Sequence, residues 1–222
     1  MILRTEAIAK LLDKAFKAIP GSDVSPDPLV ITPSPDTKTL RKAGAASVDL
    51  RLGCFFAKLK RGSNAMLDID AVKHGIGEEK LVRRHFIPFG GKFILHPRTS
   101  VLAVTLEWLR IPKNLAGYVM TRSSWGRRGL VIATGSGVHP GFSGCLTLVL
   151  TNVGELPVVL RPGTTICQFF LHQTVKSDSN MVDQSLLIGK RSPALGVIEC
   201  DDVAKALGAE AELPRMPHDE AE

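Results

Sequence analysis

The segment Arg122-Ser123-Ser124-Trp125-Gly126-Arg127-Arg128-Gly129-Leu130 is built from the residue types that hold phosphate. It offers two hydroxyls, backbone N–H groups freed by glycine, and the guanidiniums of Arg122, Arg127 and Arg128. The planar guanidinium fork matches phosphate oxygens two at a time. Successive backbone amides in glycine-rich turns form anion-binding concavities. No acidic residue occurs between Glu107 and Glu155, so these guanidiniums are expected to meet no competing carboxylate. Arg110 and Lys113 add positive charge, and Gly135, Gly137, Gly141 and Gly144 continue the glycine punctuation. A basic run alone reads as a solvated loop. The hydroxyl pair and the glycines turn the reading toward a polyphosphate site, and a nucleoside triphosphate suits so local a cluster.

The elements that must carry this segment are mostly strands. Thr5 is placed to cap a helix over residues 6–18, with Ile8, Leu11, Leu12, Ala15 and Ile19 on one stripe. Residues 20–37 hold Pro20, Pro26, Pro28, Pro33 and Pro35 and read as a loop. Short strands follow at Ser47–Leu52, Cys54–Leu59, Lys92–Leu95, Val101–Leu106, Leu115–Thr121, Leu130–Ala133, Cys145–Asn152, Val158–Leu160 and Thr165–His172. This spacing predicts an all-β barrel or sandwich. Residues 62–85 read as a polar insertion loop, and Asp201–Ala209 as a short C-terminal helix. In Cys145–Thr151 the leucines Leu146, Leu148 and Leu150 share one face, the expected core. Cys145, Thr147, Val149 and Thr151 share the other, which could line a pocket or a subunit contact.

Composition narrows the class. The chain has 222 residues, 44% of them apolar, enough for one domain with a core. We divide it into a barrel domain, 1–198, and an acidic tail, 199–222. The tail holds Glu199, Asp201, Asp202, Glu210, Glu212, Asp219, Glu220 and Glu222 against Lys205 and Arg215, so the body is more basic than the net charge of +6 suggests. Nucleic acid is not the expected partner, because aromatic residues do not interleave with the basic ones. Cys54, Cys145, Cys167 and Cys200 show no metal-type pairing and are expected to be reduced thiols. With no long apolar run and no signal-peptide layout, a soluble cytoplasmic protein is expected, without membrane contact.

Several segments resemble, in order, the motifs of the dCTP deaminase/dUTPase superfamily, and the longer matches resemble dCTP deaminase. They are Ala46-Ser47-Val48-Asp49-Leu50-Arg51-Leu52-Gly53, then His96-Pro97 with Leu102 to Glu107, and Arg122-Ser123-Ser124 with Arg127 and Gly129-Leu130. Val138-His139-Pro140-Gly141-Phe142-Ser143-Gly144 is similar to the nucleoside hairpin, and Leu160-Arg161-Pro162-Gly163 through Gln168 to the closing motif. The resemblance covers roughly residues 1–172. It implies a distorted β-barrel (β-clip, dUTPase-like), a homotrimer with sites between subunits, and Mg2+ bound through the triphosphate. By the same resemblance Arg122, Ser123, Ser124 and Arg127 hold phosphates, and Ser123 helps to orient the attacking water. Thr134, Gly135 and the backbone around Val138 read the base, and Phe142 packs near the deoxyribose. Lys190 and Arg191 are the candidates for an arm over the phosphates. The family's deaminases use no zinc. The His-x-Glu and Pro-Cys-x-x-Cys set of a zinc deaminase is absent, since His218-Asp219-Glu220 has no cysteine after it.

Two departures fall on the chemistry. Val149 stands where the deaminases carry the glutamate that serves as general base toward C4 of cytosine. Valine cannot move a proton, and general acid–base catalysis contributes about 10²–10⁴-fold. His139 stands where the superfamily usually has aspartate; a histidine can act as a base near neutral pH, or hydrogen-bond the sugar or its own hairpin. Three readings stay open: a dCTP deaminase working despite Val149, a catalytically silent sensor or store of deoxynucleoside triphosphates, and a dUTP pyrophosphatase using His139. Asp49 is expected to secure a turn or strand hydrogen bond, and Gln168 to satisfy buried backbone groups. Trp108, Trp125, Phe55, Phe56, Phe86 and Phe89 are expected in the core or an interface.

Overall fold

The computed structural model describes residues 1–16, 27–60, 81–133, 137–175 and 189–195. The end of the expected N-terminal helix, Thr134 and Gly135, the expected C-terminal helix and the acidic tail lie outside these residues. In chain order the elements are α1 (Thr5–Phe16), β1 (Val30–Thr32), α2 (Thr37–Ala43), β2 (Ser47–Leu59), β3 (Val82–Phe86), β4 (Phe93–Leu95) and β5 (Thr99–Arg110). They continue with β6 (Leu115–Thr121), α3 (Ser123–Gly126), β7 (Leu130–Ile132), β8 (Gly137–Val138), β9 (Ser143–Asn152), β10 (Val158–Leu160) and β11 (Thr165–Gln173).

A 9-stranded antiparallel sheet runs β7-β9-β5-β2-β11-β6-β8, with β1 added to β5 and β3 to β2; β4 and β10 form a separate ribbon. The sheet curls on itself. The Ile132 N–H donates to Thr121 Oγ1 at 2.8 Å, tying β7 at one edge to the end of β6 near the other. Alternation sets what lies inside. Leu146, Leu148 and Leu150 are buried, together with Leu50, Leu52, Val119, Phe169 and Leu171 from facing strands, while Cys145, Thr147, Val149 and Thr151 point outward and stay half-exposed. The mostly β, barrel-like architecture expected from the sequence is thus the one found.

Several local expectations need correction. The proline-rich stretch is not all loop, for Val30–Thr32 pairs with the end of β5 and α2 begins at Thr37. Asp36 starts that helix by accepting the Lys38 N–H at 3.0 Å, a short-range cap that the prolines mask. Thr5 does not cap α1; its hydroxyl and its N–H both donate to Ala45 O, at 3.2 and 2.9 Å. Residues 82–85 belong to β3, with Phe86, because β2 supplies an edge for them to pair. Gln168 donates to Ser47 Oγ at 3.3 Å rather than to backbone. Phe56 is buried, but Phe55, Phe86 and Phe89 are 41%, 61% and 64% exposed and are not core.

The two strand segments at 47–59 fuse into one 13-residue strand interrupted by a bulge. Leu52 faces Thr105 and Phe56 faces Ala103, so Gly53, Cys54 and Phe55 oppose Val104 alone. A second bulge lies on the other side of β5, where Thr105, Leu106 and Glu107 oppose Leu146. This bulge adds two residues, so the alternation is kept and Glu107 shares the buried face of Val101, Ala103 and Leu109. The Glu107 carboxylate is buried and accepts from the Arg51 N–H at 2.8 Å and Arg51 Nε at 2.7 Å. The Thr105 hydroxyl donates to Glu107 O at 2.8 Å and accepts the Leu146 N–H at 3.0 Å, satisfying backbone groups that the bulge leaves unpaired. Among the described residues no helix is long and apolar enough to cross a membrane.

Candidate functional site

The phosphate-type segment is a single tight helical turn between β6 and β7. Arg122 is still extended, and its carbonyl accepts the N–H groups of Trp125 and Gly126 at 2.9 and 3.1 Å. Trp125 anchors the turn, packing against the core while its indole N–H donates to Thr165 O at 2.9 Å. Gly129 ends it at φ 83°, and a Cβ there would lie 2.7 Å from the Gly154 backbone, so only glycine fits. Ser123, Ser124 and Arg127 remain exposed. Among the described residues the two hydroxyls make no hydrogen bond and Arg127 no ion pair. Arg128 is used locally, its guanidinium donating to Ser124 O at 2.7 Å. The turn thus presents two hydroxyls and the Arg127 guanidinium to an external anion.

Arg122 corrects a sequence expectation. Its guanidinium lies 3.4 Å from the Asp49 carboxylate, both side chains about half-exposed. The acid-free stretch is acid-free only along the chain. β11 lies between β2 and β6, with Gln168 opposite both Asp49 and Met120, and brings motifs more than seventy positions apart onto one outward face. Asp49 is therefore an ion-pair partner rather than a turn residue. The parity of Asp49 and Arg51 against buried Val48, Leu50 and Leu52 is the signal that pointed to it.

The hairpin from Gly137 to Gly144 forms the second element. Gly141 takes φ 83°, and the Phe142 N–H closes the turn on the His139 carbonyl at 3.2 Å. The imidazole makes no hydrogen bond among the described residues and is exposed, so it does not cap its own hairpin. Val138 and Phe142 are buried in the core of this chain, 5% and 8% exposed. Val149 occupies the outward face of β9, beside Thr147 and Thr151 and opposite Leu102, and its carbonyl accepts the Ala133 N–H at 2.8 Å. None of the outward residues of β7, of β9, or of β5 from Ser100 to Val104 is a carboxylate.

Lys190 is exposed, and its carbonyl accepts the Cys145 N–H at 3.0 Å. That places it at the start of β9, whereas the phosphate turn joins the other end, where Leu130 pairs with Asn152. The separation along the strand is roughly 23 Å at about 3.3 Å per residue, so one chain does not bring Lys190 to its own phosphate turn. The thiols do not add a nucleophile. Burial pushes Cys54 and Cys145 up and Cys167 to about 12, leaving all three protonated near neutral pH.

Comparison with known proteins agrees with this architecture. A family model described as dCTP deaminase-like matches residues 24–174. A dCTP deaminase of Pectobacterium atrosepticum is 38% identical over 142 residues, which is 62% of this chain and 72% of that protein. The solved 2'-deoxycytidine 5'-triphosphate deaminase from Agrobacterium tumefaciens shares the fold at TM-score 0.52 and 19% identity over 77% of this chain. This chain spans 48% of the length of that structure. A native EIAV dUTPase is similar at TM-score 0.36 and 20% identity, covering 60% of this chain and 97% of that one.

Proposed function

Because the chain belongs to the dCTP deaminase-like family, we propose that it serves pyrimidine deoxynucleotide metabolism by binding a dCTP- or dUTP-type triphosphate at the turn from Arg122 to Arg127. The family reaction is hydrolytic deamination of dCTP to dUTP, and this chain lacks the group that would start it. The observation that carries this reading is Val149, outward on β9 in a row without any carboxylate. Ser123, Ser124 and Arg127 would bind phosphate oxygens, and Ser123 would orient a water, but among the described residues no carboxylate flanks Val149 on this face to take its proton. The chain would therefore hold the nucleotide as a sensor or store, with deamination slow.

Arg122 would exchange Asp49 for phosphate, or share the two. A Mg2+ ion would ride on the triphosphate oxygens, keeping most of its waters, with Asp49 as the carboxylate available beside Arg122. Val149 and Arg122 face outward on β9 and at the end of β6, walls separated by β7 around the curl. The homotrimer with shared sites rests on the family resemblance, since only β7 separates Val149 from the end of β6 in one chain.

One observation favours a second reading. The imidazole of His139 is exposed and unengaged, as a base for dUTP pyrophosphate hydrolysis would need to be. Incubation with dCTP and with dUTP, followed by chromatographic resolution of products, separates these outcomes. Binding of both without product supports the silent reading. Rapid dUTP formation from dCTP would overturn it, and dUMP with pyrophosphate would establish the second.

A further inference from the structure

Arg191 and the exposed aromatic side chains take no part in the site above, yet they meet in one place. Phe55, Phe86, Phe89, Trp108, Cys145 and Arg191 line a cleft of about 460 Å3 on the outward face of the barrel. The cleft opens where the two bulges flanking β5 come together. Gly53 forms its floor, since a Cβ there would lie 3.0 Å from the carbonyls of both Val104 and Thr105. Phe55 lies outward beside its strand partner Phe86, ring centroids 5.3 Å apart. Its one charged lining residue is Arg191. Two backbone hydrogen bonds place that residue, Gly189 N–H to Ser143 O at 2.6 Å and Cys145 N–H to Lys190 O at 3.0 Å. The guanidinium is exposed and makes no ion pair among the described residues.

We propose that this cleft is a second ligand site, separate from the phosphate turn, and that it takes a flat aromatic ring carrying one anionic group. Aromatic walls receive a planar ring by stacked or edge contacts. A guanidinium at the rim binds a carboxylate or phosphate monoester through its planar fork. The volume falls within the range of about 300–1,000 Å3 typical of small-molecule pockets. One guanidinium, rather than a cluster, matches a single anionic group and not a triphosphate. No carboxylate lines the cleft to repel such a ligand.

The test is calorimetric titration of the full chain with 2-naphthoate, 2-naphthyl phosphate, neutral 2-naphthalenemethanol and non-aromatic cyclohexanecarboxylate, each with and without dCTP. We expect one equivalent of an aromatic anion per chain, at least tenfold tighter than the neutral or aliphatic probes and unaffected by dCTP. The two anions rank carboxylate against phosphate monoester. Arg191→Gln should weaken the anion by about tenfold, Arg191→Lys by less, and Phe89→Ala several-fold, with unchanged melting temperatures. Equal affinity in Arg191→Gln, or displacement of the probe by dCTP, would overturn the proposal. So would binding that vanishes at concentrations where sedimentation shows the chain assembled, because a second copy would then be the occupant.

Discussion

At the scale of single residues, the proposed function separates binding from chemistry. The groups that would hold phosphate are present on a turn that Trp125 and Gly129 fix in place. Losing a charge-assisted hydrogen bond costs about 1.5–3 kcal/mol, so Arg127→Ala should weaken triphosphate binding roughly tenfold or more. Nucleoside binding should change little, and equal losses for both in parallel titrations would remove Arg127 from the phosphate role. Val149 is the opposite case, a side chain that cannot take a proton at the position where the resemblance implies a general base. Val149→Glu should leave binding nearly unchanged and raise ammonia release from dCTP by about 10² or more. The new carboxylate enters a half-buried row, which should lower stability unless Ser123 or a water pairs with it. An inert variant that still binds dCTP would show that more than the general base has been lost.

At the scale of elements, one side chain braces the second bulge of β5. Thr105 holds the second bulge by serving Glu107 O and the Leu146 N–H together. Thr105→Val keeps the shape but strips both bonds, so urea unfolding should report a loss of about 1–3 kcal/mol. A loss below a few tenths would mean that the bulge needs no such brace. The α2 cap gives a pH-dependent prediction. Hydrogen bonds from Thr39 and Lys38 hold the Asp36 carboxyl below its ordinary value. Its stabilising contribution is therefore complete above the ordinary aspartate range, about pH 4, and fades as pH falls through the lowered value. Asp36→Asn, which caps without titrating, should flatten that part of the melting-temperature profile below pH 4. An unchanged profile would assign the acid sensitivity to other groups.

For the whole molecule, the decisive question is whether neighbouring chains complete one another. Lys190 lies at the far end of β9 from its own turn, whereas only β7 separates Val149 from the end of β6. If sites are shared, a Val149→Glu, Arg127→Ala double variant should be inactive alone and regain dCTP deamination when assembled with unmodified chains. The recovered interface would pair Glu from one chain with Arg127 from another. Activity unchanged by co-assembly, beside an active Val149→Glu single variant, would place the whole site in one chain.

The sequence by itself determined the fold class, the leucine face of β9 and the glycine-punctuated turn from Arg122 to Gly129. Each is a local property, set by period-2 alternation, glycine spacing or residue identity. It could not determine that Asp49 reaches Arg122, because that pair exists only through the order β2-β11-β6, which joins distant segments across a third strand. The aromatic cleft was equally hidden. It opens at bulges, where one strand carries extra residues against its partner, and a bulge is a property of the pairing rather than of either strand read alone. Within its own chain Arg191 lies at that cleft, because the backbone of Gly189 and Lys190 pairs with the start of β9.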